Sequence, residues 1–251
     1  MAIYRLIIEY DGAAFSGWQV QPEKRTVQGA IEAALARILG EEVRVRGASR
    51  TDAGVHALGQ VACFEIERDL DPRKLAAGIS ALCRPDIAVV RAEVAQAGFD
   101  PRRHAVGKRY RYLVLNRPTP SPLHRRTAWH VRAPLDLDAM RAAAAVLVGT
   151  HDFCGFRAAD CEREETVRTV TSIDIGPREP GVVAIEVCGT AFLKNMVRII
   201  AGTLVAAGLG KMSADGVRRV LETGDRTLAG QTAPAHGLTL VEVFYEERLV
   251  T

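Results

Sequence analysis

Hydrophobic positions along this chain change their spacing repeatedly, and each change marks an element. Tyr4 to Glu9 is rich in branched and aromatic residues and reads as a strand, which a loop at Asp11-Gly12 ends. Thr26 offers an N-cap to a helix in which Val27, Ile31, Ala34, Leu35 and Ile38 share one face, and Gly40 stops it. Glu42 to Arg46 and Gly59 to Ile66 read as strands, connected by the polar segment around Asp52. Asp71-Pro72 opens a second helix through Leu82, which ends before Pro85, and Ile87 to Glu93 is strand-like again.

Lys108 to Asn116 alternates as a strand, with Tyr110 and Tyr112 on one face and Arg109 and Arg111 on the other. Leu123 to His130 leads into a helix from Asp136 or Asp138, with Leu137, Met140, Ala144 and Leu147 at helical spacing. The acidic stretch from Ala158 to Glu165, with Asp160, Glu162, Glu164 and Glu165, reads as a loop. Thr166 to Ile175 and Val182 to Val187 read as neighbouring strands separated by a Gly-Pro turn. A small-residue-rich helix, expected to be buried, runs from Phe192 to Leu209. Ser213 caps a short helix with Val217, Val220 and Leu221 on its apolar side, and Leu238 to Tyr245 is the last strand. The pattern predicts an α+β protein of two halves, residues 1–105 and 106–251, joined near Ala105.

Composition narrows the function classes. With 251 residues, 48% hydrophobic and 25% charged, the chain can build real cores and is not of disordered type. Its formal charge is only +3, yet Arg102, Arg103, Lys108, Arg109, Arg111, Arg117, Arg125, Arg126 and Arg132 fall where no acid lies between Asp100 and Asp136. Such a block suits either a solvated face or a phosphate-binding one. The five cysteines (Cys63, Cys83, Cys154, Cys161 and Cys188) are odd in number, widely spaced and without a C-x-x-C pair. That argues against a disulfide framework or a zinc knuckle and for reduced thiols in a cytosol. The amino-terminal stretch lacks a long apolar run and no other stretch is long enough to span a bilayer, so neither export nor membrane insertion is expected.

Several chemistries lack their residues. Gly208-Leu209-Gly210-Lys211-Met212-Ser213 has neither the spacing of a phosphate loop nor the hydroxyl next to its lysine. The six histidines form no H-x-H or H-x-x-x-H pair, and there is no G-x-S-x-G elbow. Asp52-Ala53-Gly54 departs from the D-[ST]-G of aspartic proteases at the hydroxyl and has no second copy. What remains is the segment Arg50-Thr51-Asp52-Ala53-Gly54-Val55-His56-Ala57. Its carboxylate sits between an arginine, which favours the charged form, and a glycine, which permits a sharp turn. Two readings stay open on these residues alone: a nucleophile, or a turn residue capping its own backbone.

That segment resembles the signature of the TruA family of tRNA pseudouridine synthases. Further matches lie in family order. Tyr10-Asp11-Gly12 with Phe15, Gly17-Trp18-Gln19 and Gln21 resembles the opening motif. Lys108-Arg109-Tyr110-Arg111-Tyr112 resembles the basic strand, and Asp152-Phe153 with Phe156-Arg157 the mid-chain element. Phe192 with Met196-Val197-Arg198 and Gly202 resembles the arginine helix, and Thr232-Ala233-Pro234 with Gly237-Leu238 the terminal motif. The sequence departs from the pattern at Pro101 and His104, at Ser49, and at Leu193-Lys194-Asn195, where histidines are common.

The resemblance implies a pseudouridine-synthase-like fold, with antiparallel sheets flanked by helices and an active-site cleft between the halves. It also implies a cofactor-free, metal-free, cytoplasmic homodimer that converts uridines 38, 39 and 40 of the tRNA anticodon stem-loop to pseudouridine. By this resemblance Asp52 is the nucleophile, Tyr110 the substrate-contacting tyrosine and Arg198 the partner of the catalytic carboxylate. Arg50 is implied to hold the RNA open around the target base. Arg102 and Arg109 are placed among the RNA contacts, while His56 either joins them or hydrogen-bonds the turn. Trp18 is either a core residue or a stacking platform.

Overall fold

A computed structural model describes residues 1–161 and 163–246. In chain order the elements are β1 (Ala2–Tyr10), α1 (Val27–Leu39), β2 (Arg46–Gly47), β3 (His56–Ile66), α2 (Pro72–Cys83), β4 (Ile87–Ala95) and β5 (Ala105–Asn116). They continue as β6 (Trp129–Val131), α3 (Leu137–Leu147), β7 (Gly149–Asp152), β8 (Val167–Glu179), β9 (Val182–Gly189), α4 (Met196–Gly208), α5 (Ala214–Thr223) and β10 (Leu238–Tyr245). Short 3-10 turns stand at Gly12–Ala14, Cys154–Phe156, Arg226–Leu228 and Ala235–Gly237.

These elements form two compact units: Met1–Lys108 with the stretch from Thr239 onward, and Arg109–Leu238. Sequence order groups the last strand with the second half. Instead β10 returns to the first unit and pairs in parallel with β3, Thr239 opposite His56 and Leu240 opposite Ala57. The architecture is α+β, and its sheets are mixed rather than purely antiparallel, since β6 also runs parallel to β5.

In the first unit the strands lie in the order β4–β1–β3–β10, with β2 against β3. Leu6 of β1 stands opposite Ala62 of β3 and Ala92 of β4, and Tyr4 stacks on Phe64 with ring centroids 5.5 Å apart. Helix α1 starts where Thr26 accepts from the Gly29 N–H and stops at Gly40, whose φ of 76° suits a left-handed C-cap. Val27, Ile31, Ala34 and Leu35 are buried, whereas Ile38 is half out of the core, leaning on Gly78 of α2. The expected strand at Glu42 to Arg46 shrinks to Arg46–Gly47. Side chains of α1 take the backbone groups that a ladder would need. Val45 N–H donates to Glu32 Oε1 at 3.0 Å, and its carbonyl accepts from Gln28 Nε2 at 3.0 Å.

In the second unit the order is β5–β9–β8–β7. Ile175 faces Ile185 and Ile173 faces Val187 across the antiparallel β8–β9 pair. Gly176-Pro177 does not make the turn between these strands. It lies inside β8 beside a register shift, where a missing proline N–H costs little, and the reversal comes at Gly181 with φ 76°. Helix α4 is apolar nearly all round and buried, with Gly208 packed against Met140 of α3. It begins at Met196 rather than Phe192, because Asn195 stands at φ 61° and breaks the helical path. Of the acidic loop, Glu162 lies outside the described residues. Asp160 pairs with Lys194 at 2.6 Å, and the Arg163 carbonyl accepts from Arg157 Nη1 at 2.8 Å. Among the described residues no helix is long and apolar enough to cross a membrane.

Gln28 ties three segments together, because its Oε1 also accepts from Gln19 Nε2 and from the Val20 N–H. Gln28→Leu keeps the volume and leaves those backbone groups unpaired. The expected loss is about 2–4 kcal/mol of stability, read from urea melts. A loss below about 0.5 kcal/mol would mean that water replaces the amide.

Candidate active site

The Asp52 turn is built from the opening motif upward. At the end of β1, Asp11 caps the Gly12–Ala14 turn by accepting from Ala13 N–H at 2.9 Å. This brings Gly12 so close to the Asp52 segment that a Cβ there would stand 1.9 Å from the Val55 carbonyl oxygen. Gly17, at φ 97°, has the same role on the other side, with its missing Cβ 2.7 Å from the Thr51 carbonyl. Backbone bonds complete the clamp: Trp18 N–H to Thr51 O at 3.0 Å, Gly54 N–H to Phe15 O at 3.4 Å, and Val55 N–H to Asp52 O at 3.1 Å. Tyr10 and Thr51 share a hydroxyl hydrogen bond of 2.7 Å. Before the turn, the wholly buried Gln60 side chain binds both backbone groups of Ser49. Asp52 itself is half-buried. Its backbone is therefore fixed on both sides.

The other predicted residues of this unit divide by exposure. Arg50 and Arg102 are exposed. Arg102 stands on a turn that Asp100 caps, its carboxylate accepting from the N–H groups of Arg102 and Arg103 at 2.9 and 2.8 Å. Burial pushes the Asp100 carboxyl up, but those two N–H groups and the Arg46 charge more than offset it and hold it below its ordinary value. His56 is only 7% exposed. Its Nδ1 lies 3.1 Å from the Gly12 N–H and 3.1 Å from Asp11 Oδ1, accepting from the first when neutral and donating to the second when protonated. That ring nitrogen belongs to the turn. Trp18, 2% exposed, lies over Gly47 as a core residue rather than a stacking platform.

In the second unit Tyr110 is 6% exposed, with its ring edge-on to Phe192 at 5.3 Å. Arg109 is half-buried, and Arg111 is paired with Glu186. Arg198, half-buried in the first turn of α4, donates from Nε to the Ala233 carbonyl at 2.8 Å and from Nη1 to Asn195 Oδ1 at 2.8 Å. The terminal motif wraps this helix. A Cβ on Gly202 would meet the Gln231 carbonyl at 1.8 Å, and Thr203 Oγ1 accepts from the Gly230 N–H at 2.9 Å. Tyr112 donates its hydroxyl to Pro234 O at 2.8 Å and packs on Gly237. Burial raises the Tyr112 phenol well above its ordinary value, with Arg198 partly opposing, so it stays protonated. The mid-chain motif is structural: Phe153 and Phe156 are fully buried and meet edge to face at 5.8 Å.

Two residues have a part in the structure that the sequence does not mark. Asn195 stands in the sequence as a departure inside the helix expected from Phe192, and no cap signal marks it, since its oxygen accepts from Arg198 and not from a first-turn N–H. Lys108 stands in the sequence as part of a basic block and of the tyrosine-strand motif, with nothing to set it apart from its neighbours. Burial, reinforced by the Arg102 charge, lowers its ammonium to about 8.

The model of a tRNA pseudouridine synthase family matches residues 6–101 and 143–246. This chain therefore belongs to the tRNA pseudouridine synthase family, a family of RNA-modifying isomerases. The matched residues include the Asp52 turn, Arg198 and the terminal motif, and the Tyr110 strand lies outside them. A tRNA pseudouridine synthase A of Myxococcus xanthus is 51% identical over 243 residues, covering 97% of this chain and 92% of the relative. One of Geotalea uraniireducens is 50% identical over 241 residues, covering 96% and 98%. Among solved structures, a Cbf5-Nop10-Gar1 complex includes a chain that aligns with 97% of this one and 60% of itself. At 13% identity and a TM-score of 0.36, that likeness carries no argument.

Gly12→Ala forces the Val55 carbonyl away and the turn with it. The expected result is a folded protein whose kcat/KM for tRNA falls by about 10²-fold or more. Unchanged kinetics would show that the turn tolerates the shift. For Lys108 the sign follows from linkage: between about 8 and its ordinary value of 10.5, the unfolded chain holds the proton that the folded chain has lost. The buried charge therefore costs stability in full below pH 8, and the cost fades as pH rises. Lys108→Met is expected to raise the melting temperature at pH 7 and to lose that gain towards pH 10. Equal gains at both would exclude charge burial as the cause.

Proposed function

We propose that this enzyme isomerises uridines 38, 39 and 40 in the anticodon stem-loop of tRNA, with Asp52 as nucleophile and without a cofactor. The observation that carries the reading is the Asp52 turn, a carboxylate on backbone locked by Gly12 and Gly17 in a segment that the family model covers. A locked backbone suits a nucleophile, because a rigid turn presents the same atom to every substrate.

The chemistry asks little else of the protein. Uridine and pseudouridine are isomers: the bond from C1′ to N1 breaks, one from C1′ to C5 forms, C5 gives up its proton and N1 gains one. No oxidant, reductant or leaving group enters the balance. The target base must leave its stack, at a cost of a few kcal/mol. Arg50, exposed beside the turn, is assigned to filling the space it vacates. Tyr110 is assigned to contact with the uracil and Arg198 to keeping the Asp52 carboxylate ionised. Arg102, Lys108 and Arg109 suit the RNA backbone, and a phosphate would relieve the crowding of the Arg102 and Lys108 charges. His56, through its bond to Gly12, serves the turn first. The active form is assigned as a homodimer acting in the cytoplasm.

Asp52→Asn is expected to bind unmodified tRNA with a dissociation constant within about threefold of the parent, yet to form no detectable pseudouridine. Normal product from that variant would sink the nucleophile assignment. Chemical mapping of the parent's product is expected to show pseudouridine at positions 38, 39 and 40. Product confined to another arm would overturn the substrate reading.

A further inference from the structure

Helix α4 begins with its cap misused. An asparagine at an N-cap ordinarily has extended backbone and lends its side-chain oxygen to the N–H groups of the first turn. Asn195 does neither: its backbone is left-handed at φ 61° and ψ 1°, and its side chain caps no backbone donor. The oxygen is committed instead to Arg198, accepting from Nη1 at 2.8 Å. Arg198 is itself costly there, since the dipole at a helix N-terminus disfavours a cation in the first turn.

Asparagine tolerates left-handed backbone better than most residues with a side chain, and an extended Asn195 would carry its oxygen elsewhere. The backbone around it is held from several directions. Ala158 N–H donates to Lys194 O at 3.0 Å, and Lys194 Nζ pairs with Asp160 at 2.6 Å. Met196 N–H donates to Leu193 O at 3.1 Å, and Ile199 N–H to Asn195 O at 2.9 Å. The helix thus gives up a cap and accepts a charge of the wrong sign. In return one guanidinium has two donors fixed in direction, Nη1 on Asn195 and Nε on Ala233. A local rule broken at both residues for the same contact marks a functional constraint rather than a packing solution.

We propose that Asn195 is a positioning residue, its amide oxygen orienting the Arg198 guanidinium for the isomerisation and its left-handed backbone placing that oxygen. This rests on the reading in which Arg198 serves the catalytic carboxylate. Asn195→Gly separates the two parts of the role, because glycine keeps the left-handed backbone and removes only the acceptor. With unmodified tRNA transcript, the single-turnover rate of Asn195→Gly is expected to fall about tenfold or more. The tRNA dissociation constant is expected to stay within about twofold, since no RNA contact is removed. In an Arg198→Leu background the same substitution should change the residual rate by less than about twofold, because the group it orients is gone. Equal losses in the two backgrounds, no loss in the parent, or a matching loss of affinity and melting temperature would each overturn the proposal. If Arg198→Leu alone leaves the rate unchanged, the reading of Arg198 fails first and the role of Asn195 falls with it.

Discussion

The Val55 carbonyl occupies space that any side chain on Gly12 would need, and the geometry of the Asp52 turn depends on that contact. The second unit repeats the device. There the Gln231 carbonyl sits 1.8 Å from where a Cβ on Gly202 would be, which allows the terminal motif to reach over α4 and place the Ala233 carbonyl on Arg198. In the first unit the Asp52 turn itself lies on neither a ladder nor a helix, and in the second the same is true of Thr232-Ala233-Pro234 in the terminal motif over α4. Close approach of backbone to glycine replaces those bonds, because a carbonyl wedged against Cα has few positions open to it. Close packing on glycine fixes the Asp52 turn directly, and for Arg198 it fixes the segment whose Ala233 carbonyl the guanidinium binds.

Charge is managed by a second rule: buried ions are bound to named neighbours, and the exceptions are informative. Arg5 lies on Glu93 at 3.1 Å and between the rings of Phe99 and Tyr245, a structural box that braces β1 against the loop before β5. Arg111 is used up on Glu186. Lys108 departs from this pattern, with burial and a neighbouring cation both opposing its charge. A protein that acts on a polyanion can keep such a group, because the substrate itself supplies the countercharge.

Local chemistry wrote most elements into the sequence. Thr26, Asp71, Asp136 and Ser213 cap helices where the pattern placed them, since a short polar side chain satisfies first-turn N–H groups in any context. The misreadings share a cause. Glu42 to Arg46 has strand-like residues, but Glu32 and Gln28, on a helix earlier in the chain, take the Val45 backbone groups. Gly176-Pro177 looks like a turn until β9 is laid beside it, and α4 starts late because Asn195 has a partner on the helix it precedes. Each outcome depended on a hydrogen bond or a pairing that residue type alone does not declare.

The same division holds for the site. The chain's own order of residues determined that a carboxylate stands between an arginine and a glycine, that a tyrosine strand and an arginine helix follow, and that the whole belongs to one family of RNA-modifying isomerases. Motifs carry that information because they record which residue types the chemistry needs. What only the folded units decided is why the glycines are there, which nitrogen of His56 serves the turn, and what holds Arg198. Apart from the Asn195–Arg198 bond, those are contacts between segments distant in sequence. Their energies depend on distances of a few ångströms, which three-dimensional packing sets and residue order does not.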